Sequence, residues 1–382
     1  MKSSTSKQDM MMTTMTEKVK IFIPTIATNI LKNTLLLLLT LQATICLAQT
    51  DSVAKFTFSG YGELYYSCDF ANPSNHEKPN FVYNHKRHNE FNANLILAKA
   101  NYTASRTRAN LGLMTGNYAQ YNLSNEPTWA QFIYEANIGV KLSQRHNLWL
   151  DAGIMPSHIG FESAISADCW TLTRSILAEN SPYFETGLKL SFANKKENLN
   201  LAFLVLNGWQ RVQRLPNRQS PSFGVQINYK PTEKLQLNYS NFVGTEKPDT
   251  ARALRIYHNF YMQYEPNKKL GFIGGCDIGT DKYNAAQYGV WFSPVLIARY
   301  ALNKKSKIAL RTEYYDDAKQ IMIATNTENG FKVLGVSSNY DYQISDKAQF
   351  RIEGKIYHSA DAIFQSTQKN NYSLTTNLTI RF

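Results

Sequence analysis

The sequence predicts an all-β fold, namely a single closed antiparallel transmembrane β-barrel of about sixteen strands. The first observation is an alternation of apolar and polar residues in many segments of roughly ten residues, which indicates strands with one apolar and one polar face. The second is that short and long connections alternate between these segments along the chain. This pattern is typical of a barrel with short periplasmic turns and long external loops.

Residues 1–48 are predicted to be an N-terminal extension and a secretory signal peptide. Basic residues such as Lys32 precede the short apolar run Leu35–Leu41, and Ala48 offers a small residue for cleavage. A basic segment, a short apolar segment and a cleavage site together are typical of an export signal. The predicted organisation is therefore a signal region followed by one barrel domain at residues 49–382.

The first barrel strand is predicted at residues 55–67. Phe56 and Leu64 have the parity expected to face lipid, whereas Tyr61 and Glu63 have the inward parity. Successive strand residues point to opposite faces of a sheet, so one parity can meet lipid while the other meets the lumen. The next two strands are predicted at residues 90–103 and 107–117.

The later strands follow the same alternation. In the fourth strand, Tyr134, Ile138 and Val140 are predicted to face outward and Glu135 and Asn137 inward. Short polar turns join successive strands at residues 143–146, 194–197, 230–233, 265–268, 303–306 and 345–346. Longer polar connections separate these hairpins, so the strand count is even and both ends of the barrel domain lie on the same side.

The last strand is the most regular one. Tyr372, Leu378, Ile380 and Phe382 share the apolar parity, and the chain stops on the aromatic residue. An open strand of this kind would pair with other chains, so we expect it to close the barrel. An aromatic terminal residue after such a strand also resembles the assembly signal of Gram-negative outer-membrane barrels. These four residues are therefore the candidate signal for the barrel-assembly machinery.

Charged residues of inward parity are the candidate pore-lining residues. They are Glu63, Arg108, Glu135, Lys141, Asp151, Glu185, Lys189, Arg255, Asp277, Arg311, Glu313, Arg351, Glu353, Lys355 and, at the chain end, Arg381. A charge that faces lipid costs about 2–4 kcal/mol at the bilayer midplane, so these residues indicate a polar interior, which we expect to hold water. The alternative is that they pair across strands and stiffen the wall. Cations and anions are nearly balanced, so strong ion selectivity is not expected.

The connection from Met155 to Ser181 is the longest one between predicted strands and the third at the external end. Its apolar residues are too many to remain in water: Ile159, Phe161, Ile165, Trp170, Leu172, Ile176 and Leu177. We expect this loop to fold inward and narrow the lumen, with a short helix within residues 169–178. The candidate constriction residues are Glu162, Asp168, Arg174 and Glu179, which are expected to face wall charges such as Lys141 or Arg311. A loop packed over the rim or against a partner subunit is the alternative.

Three stretches carry a family resemblance. They are Leu150-Asp-Ala-Gly-Ile-Met-Pro-Ser-His-Ile-Gly-Phe-Glu162, Asn180-Ser-Pro-Tyr-Phe-Glu-Thr-Gly187 and Asn207-Gly-Trp209. They resemble the OmpL-like family of outer-membrane β-barrel porins, and the barrel plan extends the resemblance over most of residues 55–382. The resemblance implies a porin-like barrel in the cell outer membrane; it supplies no catalytic residues and no defined substrate.

The predicted function is a porin-like channel for passive diffusion of small hydrophilic solutes or ions. The alternatives are a substrate-specific transport barrel and a plugged structural or adhesive barrel. Catalysis is not expected, because His258 and Asn241 have outward parity on neighbouring strands but no serine nucleophile has the matching position. The expected partners are outer-membrane lipid, the assembly machinery and small solutes, with self-association left open. No nucleic acid, cofactor or metal is expected, since the chain is predicted to be exported and its cysteines lack metal-binding spacing.

Overall fold

The alternating segments form sixteen β-strands in the computed structural model, which describes residues 54–382. The predicted signal region lies outside the described residues. The strands are β1 Lys55–Asp69, β2 Phe91–Thr103, β3 Thr107–Thr115, β4 Ile133–Lys141, β5 Asn147–Pro156, β6 Phe184–Ala193, β7 Leu199–Leu206, β8 Ser222–Thr232, β9 Leu235–Gly244, β10 Arg255–Tyr264, β11 Leu270–Lys282, β12 Tyr288–Ala301, β13 Ser306–Asp317, β14 Phe331–Ser345, β15 Ala348–Ser359 and β16 Asn370–Arg381.

Each strand pairs with its neighbours in the chain, and β1 pairs with β16, so the sheet is a closed barrel. All of these pairs are antiparallel, and the register of the closing pair places Leu64 opposite Leu378 and Tyr61 opposite Arg381. Closure leaves no unpaired edge, as a sheet in lipid requires. The predicted fold class is confirmed, and the predicted closing role of the last strand agrees with this topology.

Short and long connections lie at opposite ends of the barrel. The long ones, here called L1 to L8, are residues 70–90, 116–132, 157–183, 207–221, 245–254, 283–287, 318–330 and 360–369. The short ones are residues 104–106, 142–146, 194–198, 233–234, 265–269, 302–305 and 346–347. We call the two ends the long-loop end and the short-turn end. L3 is the longest connection, as the sequence predicts.

Outward positions carry large exposed apolar side chains. Ile138, for example, is 68% exposed, and Phe58 and Leu113 are also exposed. Tyr134 is an exception to the predicted parity. The register between β3 and β4 shifts at this residue, and its ring lies near the Lys99 Nζ atom and the Tyr118 ring inside the barrel. A bulge of this kind places two successive residues on one face, so Tyr134 faces inward beside Glu135.

Helices are few and short. The one α-helix of residues 54–382, α1, comprises Ile176–Glu179 in L3. It covers the end of the segment in which the sequence predicts a short helix, while residues 169–175 are not helical. Among the described residues, no helix has the length and apolar composition needed to cross a membrane.

The interior of the barrel is filled by its own loops. Inward-facing wall residues such as Leu95 and Ile273 pack with Trp170 and Leu177 of L3 in one apolar cluster. A second cluster joins Phe81 of L1 and other loop residues to the wall near the long-loop end. The expectation of a water-filled interior is therefore wrong for this part of the barrel. The wall alone cannot fill a barrel of this size, but two folded loops can.

Candidate functional site

L3 lies inside the barrel and rests on glycines of the wall. His158 lies over Gly224 of β8. Trp170 and Phe161 lie over two glycines of β11, Gly271 and Gly275. A Cβ atom at any of these three positions would lie 2.5 to 2.7 Å from the loop side chain above it, which is closer than van der Waals contact permits. We call Gly224, Gly271 and Gly275 the seat glycines. A glycine inside a strand often marks such a close approach.

Arg311 of β13 is the centre of the polar contact between L3 and the wall. Its guanidinium donates to the Thr171 hydroxyl at 2.8 Å and to the Thr173 carbonyl at 2.7 Å, both in L3. It also pairs with Glu353 of β15 at 2.8 Å, and Glu162 of L3 lies 3.6 Å away. Arg311 is completely buried, so its charge requires these acidic and carbonyl partners.

Neighbouring wall residues bind the backbone of L3. Arg351 of β15 donates to the Ser166 carbonyl at 2.6 Å and the Cys169 carbonyl at 3.1 Å. The Glu353 and Glu313 carboxylates accept hydrogen bonds from the backbone N–H groups of L3 residues Thr173 (2.6 Å) and Ile176 (2.5 Å). Lys355 donates to the Arg174 carbonyl at 2.9 Å. These bonds satisfy loop backbone groups that would otherwise be buried without partners.

Glu63 of β1 joins two loops to the point where the barrel closes. Its carboxylate accepts from Ser166 of L3 at 2.6 Å and from Asn377 of β16 at 2.6 Å. It also faces the His85 Nε2 atom of L1 at 2.7 Å. Glu63 and His85 are both fully buried. L1 therefore also folds into the barrel, which its polar composition did not indicate.

L1 and L3 also contact each other directly. The Glu179 carboxylate of L3 accepts from the Tyr83 N–H of L1 at 2.9 Å and from the Asn84 side chain at 3.1 Å. Burial raises the pKa of Glu179 above its ordinary value, against the effect of these bonds. The two loops form one packed body inside the barrel.

The four candidate constriction residues have different surroundings. Glu162 faces Arg311, as predicted. Asp168 does not face Lys141 or Arg311 but pairs with Arg381 at 2.6 Å. Arg174 bonds carbonyl groups of its own loop, and Glu179 binds L1. Glu162 is buried, and burial raises its pKa despite Arg311 nearby.

The candidate pore-lining residues all face inward, but they divide into two groups. Those of the first group are buried: Glu63, Glu135, Asp151, Glu185, Arg255, Asp277, Arg311, Glu313, Arg351, Glu353 and Lys355. Arg108, Lys141 and Lys189 remain partly exposed towards the short-turn end, as does Arg381 at the chain end. Most of the first group do not border open water, because L1, L3 or a wall partner covers them.

The terminal strand presents its apolar residues outward, as predicted. Tyr372, Leu378, Ile380 and Phe382 are all exposed on the outer face. Phe382 continues the pairing with β1 through backbone bonds to Gly60, and its ring covers that glycine. A Cβ atom on Gly60 would lie within 2.2 Å of the ring.

Sequence reasoning missed three features of this site. They are the seat glycines, the two buried histidines His85 and His158, and the inward position of L1. The glycines were the one available signal, because glycine is unfavourable in strands unless another group approaches closely. As for other chemistry, His258 and Asn241 are cross-strand neighbours on the outer face. Within residues 54–382, no group of three metal-binding side chains clusters.

A protein-family model described as "Putative beta-barrel porin-2, OmpL-like" matches residues 55–382. The chain belongs to this family. It is therefore an outer-membrane β-barrel channel of the porin type, through which small hydrophilic solutes diffuse passively. A porin family and fold indicate a channel rather than an enzyme.

Solved porin structures have the same fold. An anion-selective porin from Comamonas acidovorans aligns with a TM-score of 0.60 at 9% identity, over 86% of this chain and 100% of that one. OmpF of Salmonella typhi, in complex with daunomycin, gives 0.59 at 8% identity over 86% and 98%. The outer-membrane channel DcaP of Acinetobacter baumannii gives 0.57 at 9% identity over 87% and 99%. No curated protein sequence matches this chain significantly.

Proposed function

We propose that L3 controls passage through this channel. With L3 in place, the part of the interior that the loop occupies is filled. Solutes pass when L3 leaves the seat glycines, and the inward-facing charged residues then line their route. The single observation that carries this proposal is the set of seat glycines, because they adapt the wall to the shape of one particular loop.

The contacts of L3 support a loop that is docked and not fused to the wall. Hydrogen bonds between wall side chains and loop backbone help to hold it, as for Arg351 and the Ser166 carbonyl. Water can replace such bonds when the loop moves. The charges that become exposed, such as Arg311 and Glu353, are acceptable in a wet lumen. These two residues would lie together on one side of the opened route.

The filled interior also favours a second function, that of a plugged structural or adhesive barrel. In such a protein L1 and L3 would never leave the wall. The density of contacts around Glu63, which binds both loops, supports this alternative. A measurement of conductance separates the two functions.

The first experiment removes the loop. Residues 159–178 are replaced by a short Gly-Ser bridge, and the purified protein is inserted into a planar bilayer. We expect a several-fold larger single-channel conductance than that of the intact protein, since conductance rises with the open cross-section of the lumen. An assembled deletion variant whose conductance equals that of the intact protein contradicts control by L3.

A second experiment keeps the whole chain. Leu is introduced at two seat glycines together, Gly271→Leu and Gly275→Leu, so that the new side chains occupy the space of Trp170 and Phe161. The matched control is Gly274→Leu, since Gly274 faces outward with no atom within 4 Å of its added Cβ. We expect higher conductance in the double variant and wild-type conductance in the control. Equal conductance in both would contradict the role of the seat glycines.

The partners of the assembled protein also belong to this proposal. The barrel-assembly machinery is proposed to engage the outward residues Tyr372, Leu378, Ile380 and Phe382 before β16 pairs with β1. Their exposure on the outer face supports this role. Substitution of Leu378 and Ile380 by Asp should abolish insertion, measured by the amount of heat-modifiable protein in outer-membrane fractions. Self-association of the barrel is left to measurement of the native mass in detergent.

A further inference from the structure

His158 occupies the position where L3 leaves the wall. It follows the end of β5 by two residues, and its imidazole is buried above Gly224. The Nδ1 atom lies 2.8 Å from the Glu185 carboxylate of β6. The Nε2 atom lies 2.8 Å from the Asn241 carbonyl of β9. Both ring nitrogens therefore face an oxygen atom.

The chemistry of these two oxygens fixes what the ring must be. A backbone carbonyl and an ionised carboxylate accept hydrogen bonds and donate none. A neutral imidazole has one N–H group, whereas the imidazolium has two. Only the protonated ring of His158 can donate to both Glu185 and Asn241. Loss of that proton leaves one of two close, buried nitrogen–oxygen pairs with no hydrogen between the atoms.

The backbone of His158 holds the same part of L3. Its carbonyl accepts from the Gln226 side chain of β8 at 2.8 Å and the Ser240 hydroxyl of β9 at 2.7 Å. Two residues further, the Gly160 N–H donates to Asn259 of β10 at 3.2 Å. This one residue therefore anchors the start of L3 to neighbouring strands of the wall.

His85 of L1 provides an internal contrast. Its Nε2 atom faces Glu63, but its Nδ1 atom has no hydrogen-bond partner. Burial lowers the pKa of His85 below its ordinary value. A neutral ring with one N–H group satisfies this environment, so His85 does not require a second proton. The two buried histidines of the loops are therefore chemically different.

We propose that His158 is a positioning residue whose protonated ring anchors L3 in the lumen, so that loss of its proton favours release of the loop and opening of the channel. This inference rests on the proposed control of passage by L3. It adds the regulation of that control, because it makes the docked state depend on pH.

The charged groups around His158 determine the direction of the effect. Glu185 and Lys189 of β6 face it, while the facing side chains of β8 and β9, including Gln226 and Ser240, are uncharged. Burial lowers the pKa of His158, but the Glu185 carboxylate and the Asn241 carbonyl outweigh burial and Lys189, so the pKa is raised. A raised pKa stabilises the docked loop fully below the ordinary histidine pKa. The stabilisation is lost as the pH rises through the raised value.

The test measures single-channel conductance and open probability of the full-length protein from about pH 6 to about pH 9. We expect the open population of the wild type to rise roughly tenfold over this range, as loss of one charge-assisted bond predicts. His158→Gln should be open to a similar extent at every pH. His146→Gln, at an exposed histidine in a short turn, is the control and should keep the wild-type profile. Indistinguishable pH profiles of wild type and His158→Gln would overturn the proposal.

A second readout does not depend on conductance. Cys169 of L3 is buried, so its labelling by a water-soluble maleimide reports release of the loop. In a protein whose other cysteines are replaced by serine, His158→Gln should label roughly tenfold faster than the parent at about pH 6 and equally fast at about pH 9. If His158→Gln and the parent label at the same rate at each of the two pH values, the proposal is overturned, even if the variant conducts.

Failure of this proposal is distinguishable from failure of the proposed function. If L3 controls passage without a histidine anchor, the variant lacking residues 159–178 conducts more than the wild type. The pH dependence of conductance and the labelling of Cys169 are then the same with and without His158. If L3 does not control passage, that deletion variant conducts like the wild type. Should His158→Gln fail to assemble, Glu185→Gln replaces it. A neutral amide in place of the Glu185 carboxylate no longer favours the imidazolium, so the opening transition should move to lower pH, and an unmoved transition counts against the anchor.

Discussion

Two parts of the barrel interior, one that L3 covers and one that it leaves uncovered, are lined by similar inward-facing charges. Arg311, in the part that L3 covers, has a completely buried side chain surrounded by L3 residues and three glutamates. Arg108, near the short-turn end, keeps 33% of its side chain exposed and pairs with Asp151. Lys189 is also partly exposed. L3 residues surround Arg311 but leave Arg108 partly exposed, so equal parity gives unequal environments.

This difference teaches that an inward charge does not by itself indicate a wet lumen. Where L3 covers the wall, the charges bind loop backbone, as Arg351 binds the Ser166 and Cys169 carbonyls. A buried charge is expensive unless it is paired and hydrogen-bonded, so these residues and the loop stabilise each other. Where L3 leaves the wall uncovered, water can solvate a charge, as at Lys189.

The largest expected effect on stability comes from removing a cation that L3 covers, compared with removing one that L3 leaves uncovered. Arg311→Met should destabilise the folded barrel by about 3–5 kcal/mol, because Glu162, Glu313 and Glu353 lose their shared buried partner. Lys189→Met should cost about 0–1 kcal/mol, because its ammonium is partly solvated. The temperature at which the folded band disappears in heat-modifiability gels measures both. Equal loss of stability in the two variants would show that cover by L3 does not change how much a wall cation contributes to stability.

A smaller effect is expected near the short-turn end, where the pairing of β16 with β1 closes the barrel. Gly60→Val places a side chain against the Phe382 ring and should destabilise closure by about 1–3 kcal/mol. Gly62→Val is the matched control, because an added Cβ there meets only the Ile96 side chain at an ordinary 3.7 Å. The rate at which heat-modifiable barrel forms from urea-unfolded protein in detergent or lipid reports closure. A rate that is the same for both variants would contradict the role of the terminal ring.

The smallest effect is expected from breaking the contact between L3 and the wall near the short-turn end. Asp168 and Arg381 are each 45% exposed, so their ion pair should contribute only about 0–1 kcal/mol. Asp168→Asn should therefore raise the frequency of brief openings slightly in a planar bilayer. High salt should have the same effect on the wild type and no further effect on the variant, since exposed pairs are screened. A large, salt-insensitive change in the frequency of openings would show that this pair behaves as a buried ion pair.

The resemblance of the chain to a porin family was available from the residues around Gly153, Gly187 and Trp209, and the family match confirms it. The ion pair between Glu162 and Arg311 was also predictable, because an inward loop brings its acids to a wall of opposite charge. The pairing of Asp168 with Arg381 was not. Which wall residue a loop residue meets depends on the path of the loop, and no periodic pattern in the sequence encodes that path.

The sequence by itself determined the barrel, its strands and the orientation of most side chains. Lipid requires every backbone group of the wall to be paired, and the alternation of side chains follows directly from strand geometry, so both are local properties. Only the tertiary structure decided which inward residues are wet. Glu185 and Lys189 have the same parity on β6, yet Glu185 is buried against His158 of L3 while Lys189 stays partly exposed. That difference depends on a contact between residues far apart in the chain, which forms only after the barrel has closed.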